Sequence, residues 1–382
     1  MAETLDHDVI EAVRRFVDRD VIPVASELEH ADEYPHALVA TMRELGLFGA
    51  TIPVEHGGLG LSFVSYARLM AELSRGWMSL AGVINSHLIM AFVITHHGTD
   101  AQKKYFLPAM ARGEKRGGLA LTEPHAGSDV QSIRTTAICR GDDYILKGSK
   151  MFITNARNGT MLAVAAKTDP RAKPAYAGIS MFAVEKNDAG PAVSANLKKI
   201  GYKGIDTCEV TFDDLAVPAA SLIGGAEGLG FKQVMSALEV GRINVAARAV
   251  GVGQAAFETA IRYAQQRTTF GKPICEHQAV QLLLADMGTR VEAARLLVAS
   301  AARKKDAGER CDVEAGMAKL FASEACAKIS LDAMRVLGGY GFMQEFPVER
   351  FYRDAPLMMI GEGTNEIQAL VIARGLIARY PA

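Results

Sequence analysis

Met161-Leu162-Ala163-Val164-Ala165 and Ile179-Ser180-Met181-Phe182-Ala183-Val184 are short, β-rich apolar runs set off by Gly, Asp, Pro and Asn clusters. Runs of that length with those boundaries read as strands. Tyr144-Ile145-Leu146 and Cys208-Glu209-Val210-Thr211-Phe212 are of the same kind. The segment from about residue 117 to 222 is therefore expected to form a small antiparallel barrel or sandwich.

On both sides the pattern changes to helical spacing. Upstream, Val9, Val13 and Phe16, then Leu38, Met42 and Leu45, then Tyr66, Leu69, Met70 and Leu73 recur three or four apart. The glycine-rich stretch Pro53-Val54-Glu55-His56-Gly57-Gly58-Leu59-Gly60 interrupts them as a loop. Downstream of Gly230, alanine-rich helical pattern covers 231–265, 278–305, 313–338 and 365–379. Helix, strand, helix predicts a mainly α chain with a central β domain, divided at 1–115, 116–226 and 227–382.

The 382 residues carry a formal charge of −1 and are 49% hydrophobic. That balance gives no electrostatic case for nucleic acid or an anionic membrane. Cys139, Cys208, Cys275, Cys311 and Cys326 are scattered, with no CxxC pair, which suggests reduced thiols in the cytoplasm and neither zinc nor a disulfide framework. The histidines show no ligand spacing, so no metal is expected. The opening MAETLDHD is polar and acidic, unlike a signal peptide. The apolar stretch Leu80–Thr95 is broken by Asn85, Ser86 and His87, so a buried helix is expected there and no membrane span.

Near the C-terminus, Ile360-Gly361-Glu362-Gly363-Thr364-Asn365-Glu366-Ile367-Gln368 sets a lone carboxylate between two glycines, ahead of a helical pattern. Glycine permits close approach and unusual backbone angles, and Thr364 is a natural N-cap. Glu362, preceded by Met358, Met359 and Ile360, reads either as a water-poor acid poised for proton transfer or as a charge complementing the helix dipole.

Several further motifs favour the first reading. Leu119-Ala120-Leu121-Thr122-Glu123-Pro124-His125-Ala126-Gly127-Ser128-Asp129, Gly148-Ser149-Lys150-Met151-Phe152-Ile153-Thr154-Asn155, Arg267-Thr268-Thr269-Phe270-Gly271-Lys272 and Leu337-Gly338-Gly339-Tyr340-Gly341 precede the Glu362 segment. In that order and spacing the chain resembles the acyl-CoA dehydrogenase family, over essentially its whole length. The resemblance implies an N-terminal helical domain, a middle antiparallel β-barrel or sandwich, and a C-terminal four-helix bundle, with FAD between the last two. It implies α,β-dehydrogenation of an acyl-CoA thioester, with Glu362 taking the α-proton and FAD N5 the β-hydride. No side chain accepts hydride, so such a reaction needs a cofactor.

By the same resemblance, Leu119, Leu121, Thr122, Gly127 and Ser128 run along the flavin. Phe152, Ile153 and Thr154 pack on or hydrogen-bond its ring, although Phe152 also reads as an ordinary strand residue. Arg267, Phe270, Gln278, Arg335, Val336, Leu337, Gly338 and Gly339 hold the diphosphate and adenosine of a neighbouring subunit's FAD. Arg335 stands where Gln is common. Thr364, Asn365 and Glu366 complete the cradle at a helix start. Ser128, Glu239, Val240, Gly241, Arg242, Gly361 and Gly363 are the substrate-side residues, with Glu239 expected at the CoA portion. Arg242 is otherwise a plain helix-face charge. Family members that carry the base on the earlier helix have it at the position of Gly241, where this chain offers no acid.

Gly361 replaces the aromatic found in straight-chain members, so a short or branched acyl group is expected. Trp77-Met78-Ser79-Leu80-Ala81-Gly82 lacks the arginine of glutaryl-specific relatives, which makes a dicarboxylic substrate the weaker expectation. The implied partners are an electron-transfer flavoprotein and further copies of the chain, as a dimer of dimers, in β-oxidation. An oxidase, or a dehydrogenase acting on a carrier-protein thioester, shares the same features.

Overall fold

The computed structural model describes residues 2–187 and 190–381. The N-terminal part holds α1 (Ala2–Phe16), α2 (Ile22–His30), α3 (His36–Glu44), α4 (Phe63–His97) and α5 (Asp100–Ala111). Ile10, Val13 and Phe16 form the buried stripe of α1. The expected glycine-rich break lies between α3 and α4, with Gly57 and Gly60 at positive φ. The Ser62 hydroxyl caps α4 by accepting from Ser65 N at 3.1 Å, and α5 begins with a Thr99–Gln102 capping box.

α4 is interrupted at Trp77, whose φ of −159° and ψ of 114° are not helical. It is long and apolar enough to cross a bilayer, with a mean hydropathy of 1.7 in its most apolar window. That window is 89% buried inside the fold, as in a core helix.

The middle part contains β1 (Gly117–Ala120), β2 (Thr136–Arg140), β3 (Asp143–Thr154), β4 (Met161–Lys167), β5 (Ile179–Glu185), β6 (Ala192–Val193) and β7 (Thr207–Pro218) in one sheet. The sheet is largely antiparallel; β1 and the start of β2 join β4 in parallel. Strands β4 and β5 are covered on both faces. Leu162, Val164, Ala166, Phe182 and Val184 enter the core of the β domain. Met161, Ala163, Ala165, Ile179, Met181 and Ala183 enter the main helical core. Period-two alternation with two buried faces produces the continuous apolar runs of the sequence.

The C-terminal part holds α6 (Gly230–Gln266), a two-stranded hairpin of β8 (Thr268–Thr269) and β9 (Lys272–Pro273), α7 (Gln278–Asp306), α8 (Asp312–Leu337), α9 (Val348–Ile360) and α10 (Asn365–Arg379). α9 is absent from the sequence expectation. Its buried Val348, Phe351, Ala355 and Met358 keep helical spacing, but Arg350 and Asp354 are buried beside them, so its inward face is partly charged. α6 packs against α4 on one side and α8 on the other, and alanine and glycine on the facing sides allow that approach.

Candidate active site

The loop between α9 and α10 carries the acid. Gly361 N bonds Leu357 O at 2.7 Å and ends α9. Glu362 at φ +55° and Gly363 at φ +87° then turn the chain through two left-handed residues. The Thr364 hydroxyl accepts from Ile367 N to start α10. Left-handed backbone strains a residue with a side chain, so something must hold Glu362 there. The buried Lys319 of α8 does so, donating to Met359 O at 3.0 Å, Gly363 O at 2.9 Å and Asn365 Oδ1 at 2.9 Å. Burial pulls its ammonium down to about 8.

Glu362 Oε1 accepts from Asn85 Nδ2 at 2.6 Å and from Arg248 Nη2 at 3.4 Å. Its Oε2 is buried without a partner. Burial raises the carboxyl above the usual range, against the opposing pull of Arg248, Asn85, Lys319 and Arg242. A carboxylate so placed is a stronger base than one in water. Gly241 lies directly opposite, and a Cβ there would collide with Oε2.

Of the substrate-side expectations, Gly241, Gly361 and Gly363 meet at the acid. Val240 is 4% exposed. Arg242 is mostly buried, and its Nε has no partner. Glu239 faces elsewhere: it takes Lys305 Nζ at 2.6 Å and Cys311 N at 3.1 Å, tying α6 to the turn before α8.

A second cluster surrounds Phe152. β3 gains a bulge against β7 between Lys150 and Ile153, and Phe152 sits there at φ +62° with 65% of its surface exposed. An aromatic held in left-handed backbone and offered to solvent is a costly arrangement that accumulates at functional sites. Ile153 is buried in the β core, and Thr154 pairs with Thr207. The loop beside it is held by Met151 N to Thr122 O at 2.8 Å. Beneath lies a buried ion pair, Lys150 Nζ to Glu123 Oε1 at 2.7 Å, whose lysine also reaches Leu121 O. Leu121 is buried, Leu119 and Thr122 are half-buried, and Gly127 and Ser128 are exposed.

A third cluster forms a cavity of about 600 Å³, lined by Tyr263, Arg267, Thr269, Ile274, Tyr340, Met343 and the Val336–Gly339 turn. Side chains at Gly338 and Gly339 would meet open space, while Val336 and Leu337 are themselves buried. Arg267 lies over the Tyr340 ring at 6.0 Å, Gln278 is exposed at the start of α7, and Phe270 is 97% exposed. Arg335 bonds Asp332 at 2.7 Å. Glu366 is exposed, whereas the Asn365 amide turns inward to Lys319 and Ser323.

Asn85, Arg248, Lys319 and the Lys150–Glu123 pair escaped the sequence reading. For Asn85, Arg248 and Lys319 a lone charge or amide inside an apolar helical run was the available signal. Among the described residues one grouping has metal-ligand proximity, Glu29, His30 and Glu349. Arg353 is wedged into it, bonding Glu29 at 2.5 Å and Glu349 at 2.6 Å, so a cation is already in place.

A helical domain, a curled sheet and a helical bundle, with a buried acid in the bundle and an aromatic presented from the sheet, suit an oxidoreductase built around an organic cofactor. The chain matches three family models: Acyl-CoA dehydrogenase, N-terminal domain (residues 5–114), middle domain (118–215) and C-terminal domain (228–377). It is 44% identical over 366 residues to an acyl-CoA dehydrogenase of Bacillus subtilis, covering 96% of each chain. The structure of butyryl-CoA dehydrogenase from Megasphaera elsdenii superposes with a TM-score of 0.94 at 36% identity, covering 98% of each. A chain from the study of the electron transferring flavoprotein of Acidaminococcus fermentans gives 0.95 at 37% identity, also covering 98% of each. The chain belongs to the acyl-CoA dehydrogenase family, FAD-dependent flavoprotein oxidoreductases.

The residues present suit FAD. Phe152 offers a ring face, and the unfilled space at Gly338 and Gly339 beside Arg267 suits a phosphate-bearing group.

Proposed function

We propose that the chain oxidises a short or branched acyl-CoA to its trans-2-enoyl-CoA, with Glu362 as the base. The observation that carries this reading is the buried, unpartnered Oε2 of Glu362, raised in basicity by desolvation. FAD, when bound, accepts the hydride. Phe152, Thr154 and the Leu119–Ser128 loop would hold its ring, and Arg267 with the Gly338–Gly339 turn its diphosphate.

Glu362 takes the α-proton onto Oε2, and Asn85 holds the other oxygen so that the carboxylate faces one way. The charge that develops on the thioester oxygen needs a donor in place beforehand; the Glu362 N–H serves, and the flanking glycines let the thioester come close. An added Cβ at Gly361 meets only Leu357 within 4 Å, so the missing side chain leaves room beside the α and β carbons. The butyryl-CoA dehydrogenase likeness agrees with a short chain.

The electron acceptor in this reading is an electron-transfer flavoprotein, and the enzyme is cytoplasmic. Phe270, Leu282, Phe342 and Ile377 expose 67 to 97% of their surface on the C-terminal part. That favours a homo-oligomer, a dimer of dimers, in which one copy's Arg267 cluster completes its neighbour's FAD site.

Anaerobic titration with acyl-CoAs tests the assignment. Glu362→Gln should keep bound FAD and slow flavin bleaching by at least ~100-fold. Bleaching at the wild-type rate would remove Glu362 from the role.

A further inference from the structure

The part of the site next to Glu362 is built from polar groups that a plain hydrocarbon chain would leave unpaired. Arg248 lies on α6 about two turns beyond Gly241 and is 4% exposed. Its hydrogen bonds are both long: Nη2 to Glu362 Oε1 and Nη1 to the Tyr202 hydroxyl, each at 3.4 Å. Its Nε is buried without a partner. A guanidinium does not shed its proton, and burying one with donors unused is costly.

Two phenols lie close by. Tyr66 accepts from Asn244 Nδ2 at 2.5 Å, and Tyr202 accepts from Arg248. Each therefore keeps its own O–H to donate. Arg248, Arg242 and Lys319 all act on the carboxylate of Glu362. Glu239 and Asp312 also act on Arg242, and Glu366 on Lys319, whereas among the described residues Arg248 has only the distant Glu362 oxygen, at 3.4 Å, as a carboxylate partner. The arrangement suits one further anion.

We propose that Arg248 receives a second carboxylate carried by the acyl group itself, so that the substrate is a CoA monothioester of a short dicarboxylic acid. The inference rests on Glu362 being the base and narrows what it acts upon. Length follows from geometry. The base must approach the α-carbon to about 3–3.5 Å, and Arg248 touches that same base. A terminal carboxylate reaching the guanidinium is then only two or three bonds beyond the α-carbon, giving an acid of about four or five carbons.

The charge arrangement gives the subsite a second effect. With no substrate, Arg248 leans on Glu362 and weakens it as a base. A substrate carboxylate draws the guanidinium to itself, bidentately, as Arg prefers, and leaves Glu362 more basic. A neutral acyl chain offers no such exchange. The sequence had directed attention to residues 77–82 for a carboxylate-binding arginine; the fold supplies one from α6.

The test compares butyryl-, valeryl- and hexanoyl-CoA with succinyl-, methylsuccinyl- and glutaryl-CoA on the FAD-loaded enzyme, reading anaerobic bleaching and steady-state kcat/KM. Wild type should favour a carboxylated thioester of four or five carbons by at least ~100-fold. Arg248→Gln should collapse that ratio, chiefly through a higher KM for the carboxylated substrates, and Arg248→Lys should restore part of it. Wild-type preference for the neutral series, or an unchanged ratio in a correctly folded, yellow Arg248→Gln protein, would overturn the proposal. Bleaching by neither series would instead overturn the dehydrogenase reading beneath it.

Discussion

The Oε2 atom of Glu362 rests against the backbone of Gly241, in the space that any side chain at 241 would take. Two positions far apart in the chain thus share one volume at the site. Gly241 is empty so that Glu362 can be there.

Gly241→Ala should displace the carboxylate while leaving FAD bound. Overpacking of this kind costs about 1–3 kcal/mol, which slows flavin reduction by about 10- to 100-fold if it falls on the positioned base. Gly241→Glu combined with Glu362→Gly returns an acid to the same volume, and should bleach faster than Glu362→Gly alone in stopped-flow reduction.

Lys319→Met should both weaken the fold and shift the base. It strips a donor from Met359 O, Gly363 O and Asn365 Oδ1; Gly363 O keeps Gln368 Nε2 and Asn365 Oδ1 keeps Ser323 Oγ, so the main loss falls on Met359 O, and an unsatisfied buried acceptor costs about 1–3 kcal/mol. It also removes a charge that holds Glu362 down. The acid limb of the kcat/KM profile should therefore move to higher pH, with melting temperature recorded alongside.

Phe152→Gly should trade binding for stability. Glycine removes the left-handed strain at φ +62°, worth about 1–2 kcal/mol less the roughly 0.5–1 kcal/mol entropic cost of glycine. The apoprotein should melt no lower than wild type while its FAD dissociation constant rises. A large fall in apoprotein melting temperature would mean that Phe152 serves the strand.

Asp354 gives stability a pH dependence. Burial raises its carboxyl to about 7 from 3.8, opposed by the Tyr202 N–H and Arg350. The folded state thus favours the protonated form. That contribution is full below pH 3.8 and is lost as pH rises through about 7. The melting temperature of Asp354→Asn minus that of wild type should become more positive between about pH 5 and pH 8.

Much of the helical outline was legible because regular patterns have a local cause. α6, α7, α8 and α10 repeat their apolar residues at helical spacing, and β4 and β5 announce themselves as short apolar runs. α9 carries its apolar stripe, Val348, Phe351, Ala355 and Met358, in a short segment broken up by charges and Pro356; the buried Arg350 and Asp354 find partners in α4, α2 and the loop around Tyr202, which the sequence does not display. Glu239, expected at the CoA portion, takes partners Lys305 and Cys311 from far along the chain.

By itself the sequence determined where most helices and strands form and which glycine-flanked acid stands out, since spacing, capping and backbone freedom act between near neighbours. Tertiary structure decided what that acid meets: Asn85 from α4, Arg248 from α6 and Lys319 from α8. Basicity and substrate charge depend on burial and on ions a few ångströms away, and only the folded chain brings those together.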